Sequence, residues 1–491
     1  MSGILPSENT MKTLLILLDH GLAHAYFFET DLADQLSQRG LRLVFLVPDN
    51  MQGLLQKKYT GKNFVFESMR DNEIAYYRQT HQEGLQELYE YVRRVGMSAR
   101  GPLSYVETAK RRKEFEARGR RKTQLEILRP FIQLMRSSRL VRDAFRRFFQ
   151  ARFSPALYTD LFDKYQPDLV VSNMAGWRMD QYLLREANLR NIPTAVVIVG
   201  WDNPSSQGLP GAKIDHVNVW SEIQKQELVN CADMEPDRIH VGGMPLFDSY
   251  IKRKWVIPRP EYFKMHNLDP DKKLVAFAAT GLNFSPNSHM IATLADLIGS
   301  RQVGLPAQLL IRLHPNHFKN VPRYLREAEA IRDIARRFPD IHIVEPRQMP
   351  GDLERYAGED YPEKASMMVH CDVLVTLYST MVVETALQDK PIINACLPTG
   401  SGYGQDFWVP IEQVPNFPTS KRVNASGAGR LVQTRDELKE TLQAYLADST
   451  LDSANRQQFL LQELTFLNGE ATGQTTDFLV GLVQGRANKS K

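Results

Sequence analysis

Between Cys371 and Cys396 the chain reads apolar, small and polar, helical, then apolar again. Val373 to Leu377 form an apolar run, and Tyr378, Ser379 and Thr380 a polar turn. Met381 to Leu387 carry helical spacing, and Pro391 to Ala395 make a second apolar run. Strand, turn, helix and strand in about 25 residues predict a parallel βαβ unit. The same rhythm predicts strands at Thr13 to Leu18, Leu43 to Val47, Asp168 to Ser172 and Thr194 to Val199. Val217 to Trp220, Ile239 to Gly242, Lys273 to Ala279, Gln308 to Leu313 and Ile341 to Val344 continue it. The expected class is α/β.

Two stretches break the rhythm. From about Glu83 to Phe153 the pattern is helical and basic, so an insertion is expected there. The Pro-rich, charged segment Ile257 to Pro270 reads as a linker. The expected domains are therefore 1–256 and 257–455, with a helical tail over 456–491.

Length and composition add bounds. A chain of 491 residues with 43% apolar and 24% charged residues is long enough for two ordinary cores. No apolar run approaches the 18 or so residues of a membrane span, and Met11 to Leu18 reads as the first strand, not a signal sequence. Cys231, Cys371 and Cys396 form no metal or disulfide pattern, so a reducing, cytoplasmic setting is expected. The net charge of +4 is small, but Arg93 to Arg152 hold 18 Lys or Arg against five acids. Phe131, Ile132, Leu134, Met135, Leu140, Val141, Phe145, Phe148 and Phe149 interleave with them. This stretch is either a solvated set of helix faces or a surface for anionic lipid at the inner face of the membrane, or for a phosphorylated acceptor. No nucleic-acid recognition motif is present.

Candidate chemistry sits in the loops after strands, where open α/β sheets bind ligands. Ser379 and Thr380 offer hydroxyls and backbone N–H groups at a helix start, suited to a phosphate. Glu384 follows one turn later, roughly 6 Å along the axis, where a carboxylate can hold ribose hydroxyls. The plain alternative is that Ser379 caps a helix and Glu384 is solvated. His314 and Pro315 close another strand of the same predicted sheet. The imidazole can donate to a phosphate, and the fixed φ of proline holds the turn. Gly281 and Asn283 lie in a third such loop. In the first half, Asp19, His20 and His24 follow strand one, without a GxGxxG fingerprint. Trp201, Asp202 and Asn203 occupy the Gly/Pro-rich loop GWDNPSSQG, as acceptor contacts, as a base, or as an Asx-turn. The triplet Asp269-Pro270-Asp271 precedes a strand and reads as a surface turn, so no metal is expected.

RLHPNH, YSTMVVETAL and KPII together resemble the C-terminal domain of GT-B glycosyltransferases. Among these they are most similar to CDP-glycerol glycerophosphotransferases and to the sialic acid and Kdo transferases with His-Pro and Ser/Thr motifs. HVNVWSEIQKQELVN, RIHVGGMPLFDSY and the WDN loop look like the same group. The resemblance covers roughly Thr13 to Val47 and Asp168 to Leu397, and leaves the basic helices unmatched. It implies two Rossmann-like domains facing a cleft, with donor nucleotide on the C-terminal one, acceptor on the other, and a last helix returning to the first domain. By the same carry-over His314 looks like the donor-phosphate histidine, Ser379 and Thr380 like the phosphate hydroxyls and Glu384 like the ribose carboxylate. Asp19, His20, His24 and Asp202 compete for the base.

The expected reaction is metal-independent transfer of a sugar or polyol phosphate from a nucleotide-activated donor to a surface-polysaccharide or glycolipid acceptor. Its rivals are a UDP-sugar 2-epimerase of the same architecture, or a silent scaffold that binds lipid or polymer.

Overall fold

The computed structural model describes residues 11–116, 126–282, 285–318, 320–345, 360–399 and 409–485. The chain divides into two compact units, residues 1–248 with 464–491, and residues 249–463. The division falls ahead of the stretch expected as a linker. That stretch instead forms the helix Arg259–Met265, which packs on the helix Tyr361–His370 inside the second unit. Its Pro258 precedes the helix, and Tyr262 and Phe263 are buried, so proline here starts an element instead of separating domains.

The first unit is built on seven parallel strands: β1 (Thr13–Leu17), β2 (Arg42–Val47), β3 (Phe64–Ser68), β4 (Leu169–Ser172), β5 (Thr194–Val197), β6 (His216–Val219) and β7 (Ile239–Val241). Their spatial order is β3-β2-β1-β4-β5-β6-β7. β1, β4 and β5 are buried throughout, as central strands of a sheet covered on both faces must be. The sequence pattern finds six of these strands and misses β3, an edge strand whose residues alternate between buried and half-exposed.

The basic helices lie between β3 and β4. Glu83–Val95, Leu103–Glu116, Arg129–Ser137 and Arg139–Arg152 close over a core of their own, with Tyr89, Val92, Val95, Ile132, Met135, Phe145 and Phe149. Part of the positive charge is structural. Arg142 is buried and donates to Asp233 through Nε (2.6 Å) and Nη2 (2.9 Å). Arg93 is buried and donates to the carbonyls of Gln207 and Leu209.

The second unit carries six parallel strands: β8 (Lys273–Ala278), β9 (Ala307–Arg312), β10 (Ile341–Val344), β11 (Val373–Thr376), β12 (Ile392–Ala395) and β13 (Arg430–Val432). The order is β10-β9-β8-β11-β12-β13. The sequence reading finds five of these strands and misses β13. The chain leaves this unit at Glu463 and ends in the helix Ala471–Val483, which packs on the helix Leu32–Gln38 of the first unit. Asp248 accepts from the N–H of Ala471 (3.2 Å) and Thr472 (2.7 Å), and so caps that last helix. All three cysteines are buried and free. Among the described residues, no helix is long and apolar enough to cross a membrane, and no group of three His, Cys, Asp or Glu could hold a metal.

Candidate functional site

In the second unit the strand register aligns the candidate residues. Val375 of β11 pairs with Phe277 of β8, and Phe277 pairs with Ile311 of β9. Three positions beyond this row stand Tyr378, Thr280 and His314, at the carboxyl edge of three adjacent strands. With strands about 4.8 Å apart, the His314 and Tyr378 loops are separated by roughly 10 Å. Gly281 and Ser379 follow one position on. Asn283 lies outside the described residues.

Each loop is held by its own hydrogen bonds. His314 Nδ1 accepts from the N–H of Asn316 (3.1 Å), which leaves the ring proton of the neutral form on Nε2. The N–H of His314 donates to Nδ1 of His317 (3.0 Å), a buried ring. The loop after β8 is closed by Asn287, which accepts from the N–H of Thr280 and donates to its carbonyl, both at 2.9 Å. Tyr378 has φ of 41°, in the left-handed region that non-glycine residues rarely occupy. Its N–H donates to Asn394 (3.3 Å), and its hydroxyl donates to Asn424 (2.6 Å). Strained backbone pinned in this way concentrates at binding sites.

The hydroxyl turn differs from expectation in detail. Thr376 donates to the carbonyl of Ala278 (3.2 Å), so the 3.3 Å contact between Thr376 and Ser379 uses the Ser379 proton. Ser379 Oγ also accepts from the N–H of Met381 (3.3 Å). The helix that follows, Met381–Ala386, has only six residues. Its dipole is correspondingly small, and any anion there would rest on hydroxyls and backbone N–H groups. Glu384 is not solvated. Its carboxylate is buried, bridged by Lys364 Nζ (2.6 Å to Oε2) and accepts from the Tyr250 hydroxyl (3.2 Å). An interior ion pair of this kind limits what remains for a ribose.

In the first unit, Asp19 and His20 form a pair at the end of β1, with His20 Nδ1 2.7 Å from Asp19 Oδ1. Asp19 is 1% exposed and His20 18%, so the carboxylate orients a ring that still reaches solvent. Arg178 Nε lies 3.1 Å from Asp19 Oδ2. Behind them stands Asp180, which sequence reasoning did not single out. It is fully buried and accepts from Ser172 Oγ (2.8 Å) and from the N–H groups of Gly176 (2.7 Å) and Arg178 (3.0 Å). Burial, then the charge of Asp19, push its carboxyl up from 3.8 to about 7. The signal available in the sequence was the polar stretch after β4, SNMAGWRMD, which resembles the other strand-end loops in composition.

His24 lies in the core and does not share the solvent access of His20. It is buried against Phe28 and Tyr59, with ring centroids 4.8 and 6.3 Å away. Burial, then the charge of Lys58, lower it to about 3, so it stays neutral at ordinary pH. His20 precedes the helix in extended backbone, so the two rings diverge although they are four residues apart. The WDN loop is likewise mostly structural. Trp201 and Asn203 are buried, and Gln224 Nε2 donates to the carbonyls of Gly200 (3.2 Å) and Trp201 (3.0 Å). A Cβ on Gly200 would lie 2.4 Å from Asn203 Oδ1. Of the three, only Asp202 is partly exposed. The Asp269–Asp271 triplet is a turn, closed by the N–H of Asp271 donating to Asp269 (3.0 Å).

Asp180 gives a stability prediction. Folded protein keeps this proton up to about pH 7, while the unfolded chain loses it near 3.8. Between those values the folded state binds more protons, so its contribution is present below about pH 4 and lost as pH rises to 7. The span corresponds to roughly 4 kcal/mol at most. Denaturant melts at pH 4.5 and 7.5 are expected to show a smaller loss of stability on raising pH in Asp180→Asn than in the wild type. Equal losses would disprove the buried titration.

No protein-family model matches the sequence, and no curated protein matches it. Solved structures do. A UDP-N-acetylglucosamine 2-epimerase from Neisseria meningitidis, bound to UDP-GlcNAc, is 11% identical, with 96% of this chain and 100% of that one covered and a TM-score of 0.51. The UDP-GlcNAc 2-epimerase of Methanocaldococcus jannaschii is 12% identical, with 95% and 99% covered and a TM-score of 0.51. A glycosyltransferase from Rickettsia africae is 11% identical, with 96% and 99% covered, at a TM-score of 0.49 that carries no weight. At such identities the likeness concerns the fold alone: the chain has the GT-B architecture of two Rossmann-like α/β domains.

Proposed function

We propose that the chain is a metal-independent transferase. It moves a sugar or polyol phosphate from a nucleotide-activated donor to a hydroxyl of a surface-polysaccharide or glycolipid acceptor. The observation that carries this reading is the common register of His314, Thr280 and the strained Tyr378 turn along one sheet edge. Three loops at one height suit a diphosphate and the groups on either side of it. His314, with its proton on Nε2, stabilises charge growing on the leaving nucleotide, together with Thr380, a re-aimed Ser379 hydroxyl and turn N–H groups. Gly281 and Pro315 shape the loops. His20, oriented by Asp19, takes the proton of the acceptor hydroxyl, and Asp202 contacts the acceptor. Glu384, engaged by Lys364 and Tyr250, serves to fix the turn.

Thermal melts with CMP, CDP, UDP and GDP test the donor site. One product nucleotide is expected to raise the melting temperature, by an amount equivalent to about 2.7 kcal/mol at 100 times its Kd. Absence of a shift with all four would remove the donor site. GT-B folds also house 2-epimerases, so the activity assay includes UDP-N-acetylglucosamine without acceptor. The transferase reading expects no epimer, and appearance of one would replace it.

The reading extends to the compartment: a cytoplasmic enzyme resting on the inner face of an anionic membrane. On the basic helices Phe131, Leu134, Leu140 and Phe148 remain 38%, 51%, 81% and 61% exposed, with the exposed Arg129 on the same stretch. Apolar side chains among cations suit an anionic bilayer surface. Sedimentation with phosphatidylglycerol vesicles is expected to carry the protein down at low salt and less at high salt. Leu140→Asp with Phe148→Asp should abolish it. Equal pelleting of wild type and variant would refute the contact.

A further inference from the structure

The first unit has a cavity of about 820 Å³ that none of the chemistry above uses. It lies between the helix Arg139–Arg152 and the amino-terminal edge of the first sheet. Asn191 precedes β5, Lys213 precedes β6 and Arg238 precedes β7, and all three line it. Asp19 and His20 are at the opposite, carboxyl edge.

The helix divides its residues among three directions. Arg142, Phe145 and Phe149 enter the core, and Leu140 and Phe148 are exposed. Arg139, Asp143, Arg146, Arg147 and Gln150 line the cavity. Those positions recur at intervals of three and four, so they share one face.

Every acid in the wall already has a cationic partner. Asp143 pairs with Arg146, Glu235 with Arg139 at 2.5 Å, and Asp233 with the buried Arg142 at 2.6 Å. Lys213 pairs with Asp215 at 3.0 Å. Arg147 and Arg238 have no ion pair among the described residues. The wall thus gathers several guanidinium groups with fewer carboxylates than needed to balance them, around a floor that includes Ala151, Ile214 and Met234. Guanidinium forks match phosphate and carboxylate oxygens, and a cavity of this size accepts a ligand of one or two sugar rings.

We propose that this cavity is a second binding site, for an anionic ligand carrying two phosphate or carboxylate groups on a sugar-sized body, with Arg147 and Arg238 as its anchors. The proposal does not depend on the transferase reading, and its test separates the two. Because phosphates would also bind a donor site, calorimetric titration uses the His314→Ala, Ser379→Ala protein. Glucose 1,6-bisphosphate is the probe, with glucose as the neutral control.

Binding of the bisphosphate, but not of glucose, is expected, with at least tenfold loss of affinity when Arg147→Glu and Arg238→Glu are added. No binding in the His314→Ala, Ser379→Ala protein would overturn the site, as would a loss under threefold from the two arginine changes. A thermal melt of the four-fold variant, unchanged within a few degrees, ties the loss to the site and not to unfolding. A second arm uses dihexanoyl phosphatidic acid below its micelle concentration. Weaker binding of this lipid, which carries one phosphate and no sugar, is expected; tighter binding than that of the bisphosphate would overturn the two-group site.

Discussion

Replacing His20 with alanine is expected to lower turnover by about 10²- to 10⁴-fold, the range for a positioned general base. The geometry supports so large an effect because His20 does not act alone. Asp19, buried beside it at 2.7 Å, accepts from Nδ1 and turns Nε2 outward. Asp19 is in turn held by Arg178. Asp19→Asn should therefore lose much of the same rate while leaving substrate affinity nearly constant, since it disturbs the tautomer and not the binding surface. Steady-state kinetics with the donor identified by thermal melts read both. Wild-type turnover in His20→Ala would pass the role to Asp202, whose own replacement then becomes the decisive measurement.

The second large effect is expected at His314. Its removal should cost about 10²-fold or more in turnover, the size found when a preorganised electrostatic donor is lost. Alanine also leaves the N–H of Asn316 without its acceptor, so part of the loss could come from a shifted loop. His314→Asn separates the two causes, because its side-chain oxygen can keep the bond to Asn316 while no Nε2 proton remains. Low turnover in both variants assigns the loss to the proton on Nε2. Recovery with asparagine would reduce His314 to a loop anchor, and unchanged turnover in alanine would remove it from the mechanism.

The strand core was legible because burial on both faces demands unbroken apolar runs, and Leu14 to Leu17, Val373 to Val375 and Leu309 to Ile311 supply them. β3 and β13 were not, although β7, itself an edge strand of three residues, was, so edge position and shortness do not alone hide a strand. The juxtaposition of His314 with the Tyr378 turn was readable as far as both follow strands. Their common height needed the register, which depends on pairings between residues far apart in sequence. His24 shows the opposite failure. Four residues after His20 it looks equally chemical, yet the helix Gly21–Phe28 turns it toward Phe28 and Tyr59. Asp180 stayed hidden because a buried carboxylic acid near neutrality has no signature beyond its surroundings, here Ser172, Gly176 and Asp19.

The final helix has a consequence for synthesis. Thr475 accepts from Asn218 (3.1 Å), Thr472 bonds to Asp248, and Phe478 stacks on His240 at 4.7 Å. Residues 464–485 thus finish a unit whose other parts leave the ribosome some 200 residues earlier. During translation the first sheet must wait, with β6 and β7 partly uncovered, until the whole second sheet has been made. A chaperone that shields apolar strands would find its longest-lived target there, and a released chain truncated after Glu463 should be cut by protease in the first unit while the second resists.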